Sequence, residues 1–175
     1  MMFSYTDAGQ EGVVLLVEDN PFHAEHIRRF LKEMVHIDTY RVDTIHIIHV
    51  CDGETALDYL FRQGAYEDPA ESPRPDLILL DLSLPGMNGL DVLARVRNTP
   101  DLETIPVVVL AMSASVSDVR RAYEYHASSY LVKQSGEDDA FKAQLGSVAR
   151  IWLHWNVTAH RARQLGHPVR DFILN

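Results

Sequence analysis

The 175-residue chain lacks several features that whole classes of protein require. It has one cysteine, Cys51, so no disulfide can form within the chain. Its 16 Lys and Arg stand against 25 Asp and Glu, and this formal net charge of −9 argues against a surface that binds a nucleic-acid backbone through clustered cations. No apolar run is long enough to cross a bilayer, and residues 1–12 lack the basic and apolar regions of a signal peptide. We therefore expect a cytoplasmic protein that binds neither membrane nor nucleic acid.

Short apolar runs are the strongest structural signal in the chain. Four runs and a weaker fifth are typical of strands that are buried on both faces of a parallel sheet. They are Val13–Val17, Ile45–Val50, Leu77–Leu80, Val107–Ala111 and the weaker Ser129–Val132. Segments with helical spacing separate them, so strand and helix alternate five times. This predicts a doubly wound α/β fold, with a parallel sheet between two layers of helices.

Helix boundaries are indicated by local signals. Asn20 is expected to cap the first helix, with Pro21 at its first position. The second helix follows Gly53 and is expected to stop at Gly64. The third and fourth run from about Asn88 to Arg97 and from about Ser117 to Tyr125. Cys51, between the second strand and the second helix, is interpreted as a small core side chain rather than a reactive thiol.

A final helix is predicted from about Glu137 to Trp155. Its apolar residues recur in steps of four and three, which is an a/d stripe; they are Phe141, Leu145, Val148, Trp152 and Trp155. Ile151 and Leu153 lie off this stripe as a second apolar face. The stripe either only covers the sheet, or the helix also forms a homodimer.

The domain organisation follows from these elements. Residues 1–12 are an N-terminal extension, residues 13–155 form one domain, and residues 156–175 are a C-terminal tail. The tail is too short for a DNA-binding domain. It is either loosely ordered or an arm that docks or stabilises a dimer.

Polar residues directly follow the predicted strands. Ligand sites in open α/β sheets lie beyond the carboxyl ends of the strands, where the winding reverses. Each of the following residues lies at such an end: Glu18 and Asp19 after the first strand, Asp81 after the third, Ser113 after the fourth and Lys133 after the fifth. If the strand order is 2-1-3-4-5, the first and third strands are neighbours, and Asp19 and Asp81 face each other across one gap.

Crowded carboxylates at one edge predict a cation. Mg²⁺ prefers oxygen ligands and usually takes one or two carboxylates, waters and phosphate oxygens. Asp19, Asp81 and the main-chain carbonyl of Ser83 fit this pattern, and Glu18 would act through a water. Each acid taken singly could equally be a helix cap or a solvated loop residue; their joint placement favours the metal site.

The same residues fit phosphoryl chemistry. A carboxylate beside a metal can act as a nucleophile and form an aspartyl phosphate, which makes Asp81 the candidate acceptor. The transferring group then needs donors and positive charge. Ser113 supplies a hydroxyl, and Lys133, about 10 Å away at the usual strand spacing, has the long stem and point charge that this distance needs.

These motifs together resemble the receiver domain of two-component response regulators. The matching segments are Val17-Glu18-Asp19-Asn20, the stretch from Asp76 through Asp81 to Gly89, Ser113, and Tyr130-Leu-Val-Lys133. They cover about residues 13–155. The resemblance implies a (βα)5 flavodoxin-like fold with strand order 2-1-3-4-5.

The resemblance also implies a function. A sensor histidine kinase would transfer a phosphoryl group to Asp81 in a Mg²⁺-dependent reaction. The protein would be a signalling phosphoacceptor that assists its own phosphotransfer and dephosphorylation, not an enzyme acting on another substrate. Ser113 would move toward the phosphoryl group and Tyr130 would rotate inward, changing the surface of the fourth helix, fifth strand and fifth helix.

Several segments are similar to those of regulators that are paired with bacteriophytochrome kinases. They are Asp58-Tyr-Leu-Phe-Arg-Gln-Gly64, the Pro-rich stretch after it, the stretch from Arg74 to Leu82, the stretch from Ile105 to Leu110, and a last helix ending in Trp. Two positions depart from the receiver pattern. Gln134 follows Lys133 where receivers usually have a cis proline. A non-proline cis bond costs roughly 2.5–4 kcal/mol, so either the loop is trans or this strain is retained. Asn88 stands where Asp is commoner.

Two other functions compete with that of a phosphorylated receiver. An aspartate-nucleophile phosphatase typically needs a second Asp two residues after the nucleophile, and position 83 is Ser. A pseudo-receiver that only binds a partner remains an alternative. The nine histidines, including His23, His26, His46 and His49, are interpreted as structural or surface residues rather than metal ligands.

Overall fold

The structure, a computed structural model, describes residues 10–35, 42–133 and 139–155. Five strands form one parallel sheet in the order β2-β1-β3-β4-β5, which confirms the predicted fold. The strands are β1 Gln10–Val17, β2 Val42–Val50, β3 Leu77–Asp81, β4 Val107–Ala111 and β5 Ser129–Val132. All residues of β3 and β4 are buried, as their unbroken apolar sequence predicts.

Five α-helices connect and cover the strands. They are α1 Pro21–Val35, α2 Gly53–Phe61, α3 Gly89–Arg97, α4 Val116–Glu124 and α5 Asp139–Arg150. A 3-10 turn, Gly64–Tyr66, follows α2, and a π-helical turn, Ile151–Trp155, follows α5. Asn20 Oδ1 accepts hydrogen bonds from the N–H groups of Phe22 and His23, so the predicted cap of α1 is confirmed.

The sheet separates two hydrophobic cores. Leu15 and Val17 of β1 point into the core formed with α2, α3 and α4. Val14 and Leu16 point the opposite way, into the core formed with α1 and α5. Alternate residues of β1 therefore pack into opposite cores.

Three local predictions were wrong. Cys51 is exposed because it lies just past the end of β2, at the solvent-facing edge of the sheet. Helix α2 ends at Phe61, and Arg62 (φ 55°) takes the left-handed position that was assigned to Gly64. Leu153 is fully buried because it shares a helix face with Leu145, two steps of four residues away, so the second apolar face loses this residue.

Some predictions fall outside the described residues. These are the N-terminal residues 1–9, the Lys133-Gln134 bond, the start of the last helix at Glu137, the side chain of Trp155 and the tail at residues 156–175. Within the described residues, no helix combines the length and apolarity needed to cross a membrane.

Candidate functional site

The register of the sheet brings three carboxylates to one point. Val17 pairs with Leu80 across β1 and β3, so the next residues, Glu18 and Asp81, leave the two strands side by side. Glu18, Asp19 and Asp81 each offer an oxygen, and these oxygens lie within 4.8 Å of one another. Glu18 is 0% exposed and Asp81 2%, whereas Asp19 is exposed to solvent.

Lys133 reaches this cluster from the end of β5. Its Nζ donates to Asp81 Oδ2 at 2.8 Å and to Glu18 Oε2 at 2.9 Å. The Lys133 side chain is only 4% exposed. The main-chain N–H of Lys133 donates to the carbonyl of Ala111, which holds the Lys133 backbone beside the end of β4. A long side chain on the edge strand thus spans two strands to reach the acids, as the sequence predicts.

The charges in this site are unequal in number. One ammonium faces two buried carboxylates, so the cluster has a surplus of negative charge away from water. Burial raises the pKa of Glu18, Lys133 opposes this shift, and the neighbouring charge of Asp81 adds to it. A divalent cation would relieve this imbalance.

The donor set fits a hard divalent cation. All three ligand atoms of the cluster are carboxylate oxygens, which suit Mg²⁺ and Mn²⁺ better than metals that prefer nitrogen or sulfur. Asp19 is the exposed member, so the cluster opens to solvent on its side. The Ser83 N–H donates to Asp81 Oδ1 at 3.1 Å, which folds the loop after β3 back over the acid.

Two glycines shape that loop. A Cβ on Gly89 would lie 2.1 Å from the main-chain oxygen of Asp81, so only glycine fits where α3 begins. Gly86 has a φ of +71°, and the N–H of its neighbour Met87 donates to Glu54 Oε1 at 3.1 Å. Helix α2, through Glu54, therefore holds the loop that carries Ser83. The glycines belong to the quoted motif, but the role of Glu54 had no signal in the sequence.

Ser113 and Tyr130 lie near each other on the other side of Asp81. Ser113 is exposed, two residues after β4, and its main-chain carbonyl accepts a hydrogen bond of 2.8 Å from the Tyr130 hydroxyl. Burial, and then the charge of Asp118, raise the pKa of Tyr130. Among the described residues, the Ser113 hydroxyl makes no hydrogen bond to the acids. The structure thus joins Ser113 to Tyr130, and Lys133 to Asp81.

Two histidines that sequence reasoning left outside the site contact Glu18. His23 Nδ1 lies 3.3 Å from Glu18 Oε1, and His49 Nε2 lies 2.8 Å from the main-chain oxygen of Glu18. The contact between His23 and Glu18 could have been predicted from the sequence, because the first turn of a helix that begins at Pro21 passes close to the residues before it. The second depends on the pairing of Leu16 with His49 between β1 and β2.

Comparisons with known proteins agree with this geometry. The family described as "Response regulator receiver domain" matches residues 14–144. The response regulator Rcp1 of Synechocystis sp. is 42% identical over 141 residues, which are 81% of this chain and 88% of Rcp1.

Solved structures extend the likeness to three dimensions. The crystal structure of the Mn²⁺-bound form of Rcp1 superimposes with a TM-score of 0.69 at 39% identity, covering 84% of this chain and 98% of that one. The phosphorylated cyanobacterial phytochrome response regulator RcpA gives a TM-score of 0.71 at 32% identity, covering 86% of this chain and 99% of that one.

Proposed function

This chain belongs to the response regulator receiver domain family, whose members are phosphoacceptor signalling proteins, and from this premise we propose that Asp81 is its phosphoacceptor. The observation that carries the proposal is the pair of hydrogen bonds from Lys133 to Asp81 and Glu18, beside the exposed carboxylate of Asp19. The donor of the phosphoryl group is a phosphohistidine on a sensor histidine kinase.

The transfer exchanges one bond for another. A carboxylate oxygen of Asp81 forms a bond to phosphorus as the phosphorus–nitrogen bond of the phosphohistidine breaks, and the electron pair of that bond stays on the imidazole. Negative charge spreads over the oxygens of the phosphoryl group during this step. Lys133 then provides a cation next to Asp81, and Ser113 provides a hydroxyl from the end of β4. The same residues assist the later hydrolysis of the aspartyl phosphate.

The acids also serve as a cation site. Mg²⁺, when bound by Asp19, Asp81 and the main-chain carbonyl of Ser83, with Glu18 acting through a water, would neutralise charge on the transferring group. The solvent-open side at Asp19 leaves room for waters and for the phosphoryl donor. The buried surplus of negative charge supports this assignment.

The kinase partner is of the phytochrome type. Support comes from the likeness to RcpA, which is described as a cyanobacterial phytochrome response regulator. The segment from Asp58 to Gly64, at the end of α2, is one of the stretches on which the narrower resemblance depends. Binding to a purified phytochrome kinase core, compared with a kinase of another sensor class, tests this assignment.

The output is a change in the surface formed by α4, β5 and α5. The Tyr130 hydroxyl is attached to the loop that carries Ser113. A Ser113 that moves toward the phosphoryl group would carry its carbonyl away from Tyr130, and the ring would rotate inward. Met112 and Val116, on either side of this loop, are exposed apolar residues whose surroundings would change.

Homodimerisation through the last helix is the remaining part of the proposal. Leu145 and Val148 of the predicted stripe are buried against the sheet, whereas Ile151 is 38% exposed and is an apolar residue available to a partner. Light scattering before and after phosphorylation, at tens of micromolar protein, tests this. A strict monomer in both states would refute it.

Incubation with acetyl phosphate and Mg²⁺ tests the acceptor directly. The intact protein should gain the mass of one phosphoryl group, and hydroxylamine should remove it. Asp81→Ala should abolish the gain, while the matched control Asp58→Ala, an exposed acid on α2, should retain it. A wild-type protein that gains no phosphoryl group, or an unchanged gain in Asp81→Ala, would instead favour the pseudo-receiver.

A further inference from the structure

Glu18 is held at more points than the other acids of the site. Its side chain is fully buried, its main-chain N–H donates to the carbonyl of Val50, and its main-chain oxygen contacts His49. Its Oε2 accepts from Lys133, and its Oε1 lies within hydrogen-bond distance of the Asn20 N–H (3.2 Å) and of His23 Nδ1 (3.3 Å).

Because Lys133 is shared between two acids, the contacts of Glu18 Oε1 with Asn20 and His23 become important. Lys133 divides its ammonium between Glu18 and Asp81, at almost equal distances. If Lys133 turned to a phosphoryl group on Asp81, Glu18 would keep only the donors at Oε1. A buried carboxylate that loses its donors is costly, because each unpaired buried charge must be desolvated without compensation. His23 is the only side chain among the described residues that contacts Oε1.

The position of His23 favours a role in holding Glu18 over a role as a metal ligand. The group of ligand atoms that lie within 4.8 Å of one another consists of three carboxylates and does not include His23. The imidazole is 31% exposed at the rim of the site, whereas Glu18 lies inside. Its contact with the acid cluster is the one to Glu18 Oε1, which is the position of a side chain behind a metal ligand.

We propose that His23 is a positioning residue of the phosphoryl-transfer site: its Nδ1–H donates to Glu18 Oε1 and holds that carboxylate in place while Lys133 serves Asp81. This inference rests on the proposed function, since it assigns His23 to the same site. The donation requires the proton to be on Nδ1, as in one neutral tautomer or in the imidazolium form. The structure offers no carboxylate other than Glu18 as the partner of this nitrogen among the described contacts.

Three variants isolate this hydrogen bond. His23→Ala removes the donor, and His23→Asn keeps an N–H at a similar distance from the main chain. His26→Ala is the matched control, because it removes an exposed histidine from the next turn of α1. Mg²⁺ affinity is measured by isothermal titration calorimetry. His23→Ala should weaken it by up to about 10-fold, the lower end of the effect of residues behind direct ligands, because Glu18 acts through a water. His23→Asn should restore most of this affinity, and His26→Ala should match the wild type.

Kinetics with acetyl phosphate distinguish positioning from general damage. The Mg²⁺ concentration that gives half the maximal phosphorylation rate should rise in His23→Ala, and the rate at saturating Mg²⁺ should fall much less. Equal thermal stability of His23→Ala and His23→Asn together with this difference supports the proposal. A His23→Ala protein that matches His26→Ala in Mg²⁺ affinity and in Mg²⁺ dependence overturns it.

NMR of the histidine rings in the metal-free protein tests the hydrogen bond without any phosphoryl transfer. The His23 ring should carry its proton on Nδ1, with a signal that shifts in Glu18→Gln. A ring protonated only on Nε2 overturns the proposal. If wild-type Asp81 takes no phosphoryl group, the proposed function fails, while this measurement and the Mg²⁺ titration still decide the role of His23.

Discussion

Lys133 is buried between two acids. Because two carboxylates share one ammonium, mutations on the two sides of the hydrogen bond between Lys133 and Asp81 should destabilise the protein to different extents. Lys133→Met keeps the length and most of the volume of the side chain but removes the ammonium. It leaves Glu18 and Asp81, 0% and 2% exposed, facing each other without a cation. Breaking a buried ion pair from one side costs about 3–5 kcal/mol, and we expect a loss of this size in the free energy of unfolding near neutral pH.

Asp81→Asn acts on the other side of the same contact. It leaves one ammonium against the single charge of Glu18, so the surplus of negative charge disappears. The amide oxygen can still accept from Lys133, but the amide nitrogen then faces the Ser83 N–H, which no longer has Asp81 Oδ1 as its acceptor. The lost hydrogen bond from Ser83 and the lost charge assistance at Lys133 each cost on the order of 1 kcal/mol. Because relief of the surplus charge offsets these losses, we expect Asp81→Asn to lose no more than about 2 kcal/mol, which is less than Lys133→Met loses.

The pH dependence of Lys133→Met follows from the direction of one shift. Burial already raises the pKa of Glu18, and removal of Lys133 raises that pKa further. A carboxyl group with a raised pKa in the folded state costs stability as the pH rises above its unfolded value. The deficit of Lys133→Met should therefore be larger at pH 8 than at pH 5.

Urea denaturation of the wild type and both variants at the two pH values, without divalent cations, measures these effects. Comparable m-values ensure that the same transition is compared. Equal destabilisation by Asp81→Asn and Lys133→Met would refute the reasoning, because it would mean that the hydrogen bonds and not the unequal charges determine the stability of the site.

Three further predictions concern other parts of the chain. Gly89→Ala would place a Cβ against the main-chain oxygen of Asp81. It should lower the free energy of unfolding, measured by denaturation, by about 1–3 kcal/mol, and it should lower the Mg²⁺ affinity measured by calorimetry. A variant of wild-type stability would contradict this prediction. Tyr130→Phe loses the hydrogen bond to the Ser113 carbonyl and should cost about 0.5–1.5 kcal/mol while Asp81 is still phosphorylated by acetyl phosphate; loss of phosphorylation would assign the hydroxyl another role. Burial raises the pKa of Tyr59 to about 12, so the folded protein should lose stability as the pH rises from 10 toward 12, and Tyr59→Phe should remove this component of the alkaline transition.

Much of the fold could be predicted because it depends on short, continuous patterns. The apolar run Val107–Ala111 is the fourth strand residue for residue, and the run Leu77–Leu80 differs from β3 only by Asp81. Acids that directly follow such runs lie at one edge of a parallel sheet, and the strand order 2-1-3-4-5 that the resemblance implies places Glu18, Asp19 and Asp81 on neighbouring strands.

The features that sequence missed depend on geometry that no local pattern specifies. Arg62 takes a left-handed conformation that glycine usually adopts, because α2 ends before Gly64 is reached. The partner of His49 is set by strand register, and the partner of Glu54 by the approach of α2 to the loop after β3. The contacts of His49 and Glu54 join residues that are distant in sequence, so no local sequence pattern predicts them.

Lys133 also gives the sheet a mechanical connection. Its main chain follows β5 directly, and its N–H donates to the carbonyl of Ala111 at the end of β4. Its ammonium donates to Asp81 at the end of β3 and to Glu18 just after β1. Four of the five strands therefore terminate in one linked set of bonds. A change of charge on Asp81 would therefore alter the hydrogen bonds of one nitrogen that is connected to the ends of all four of these strands.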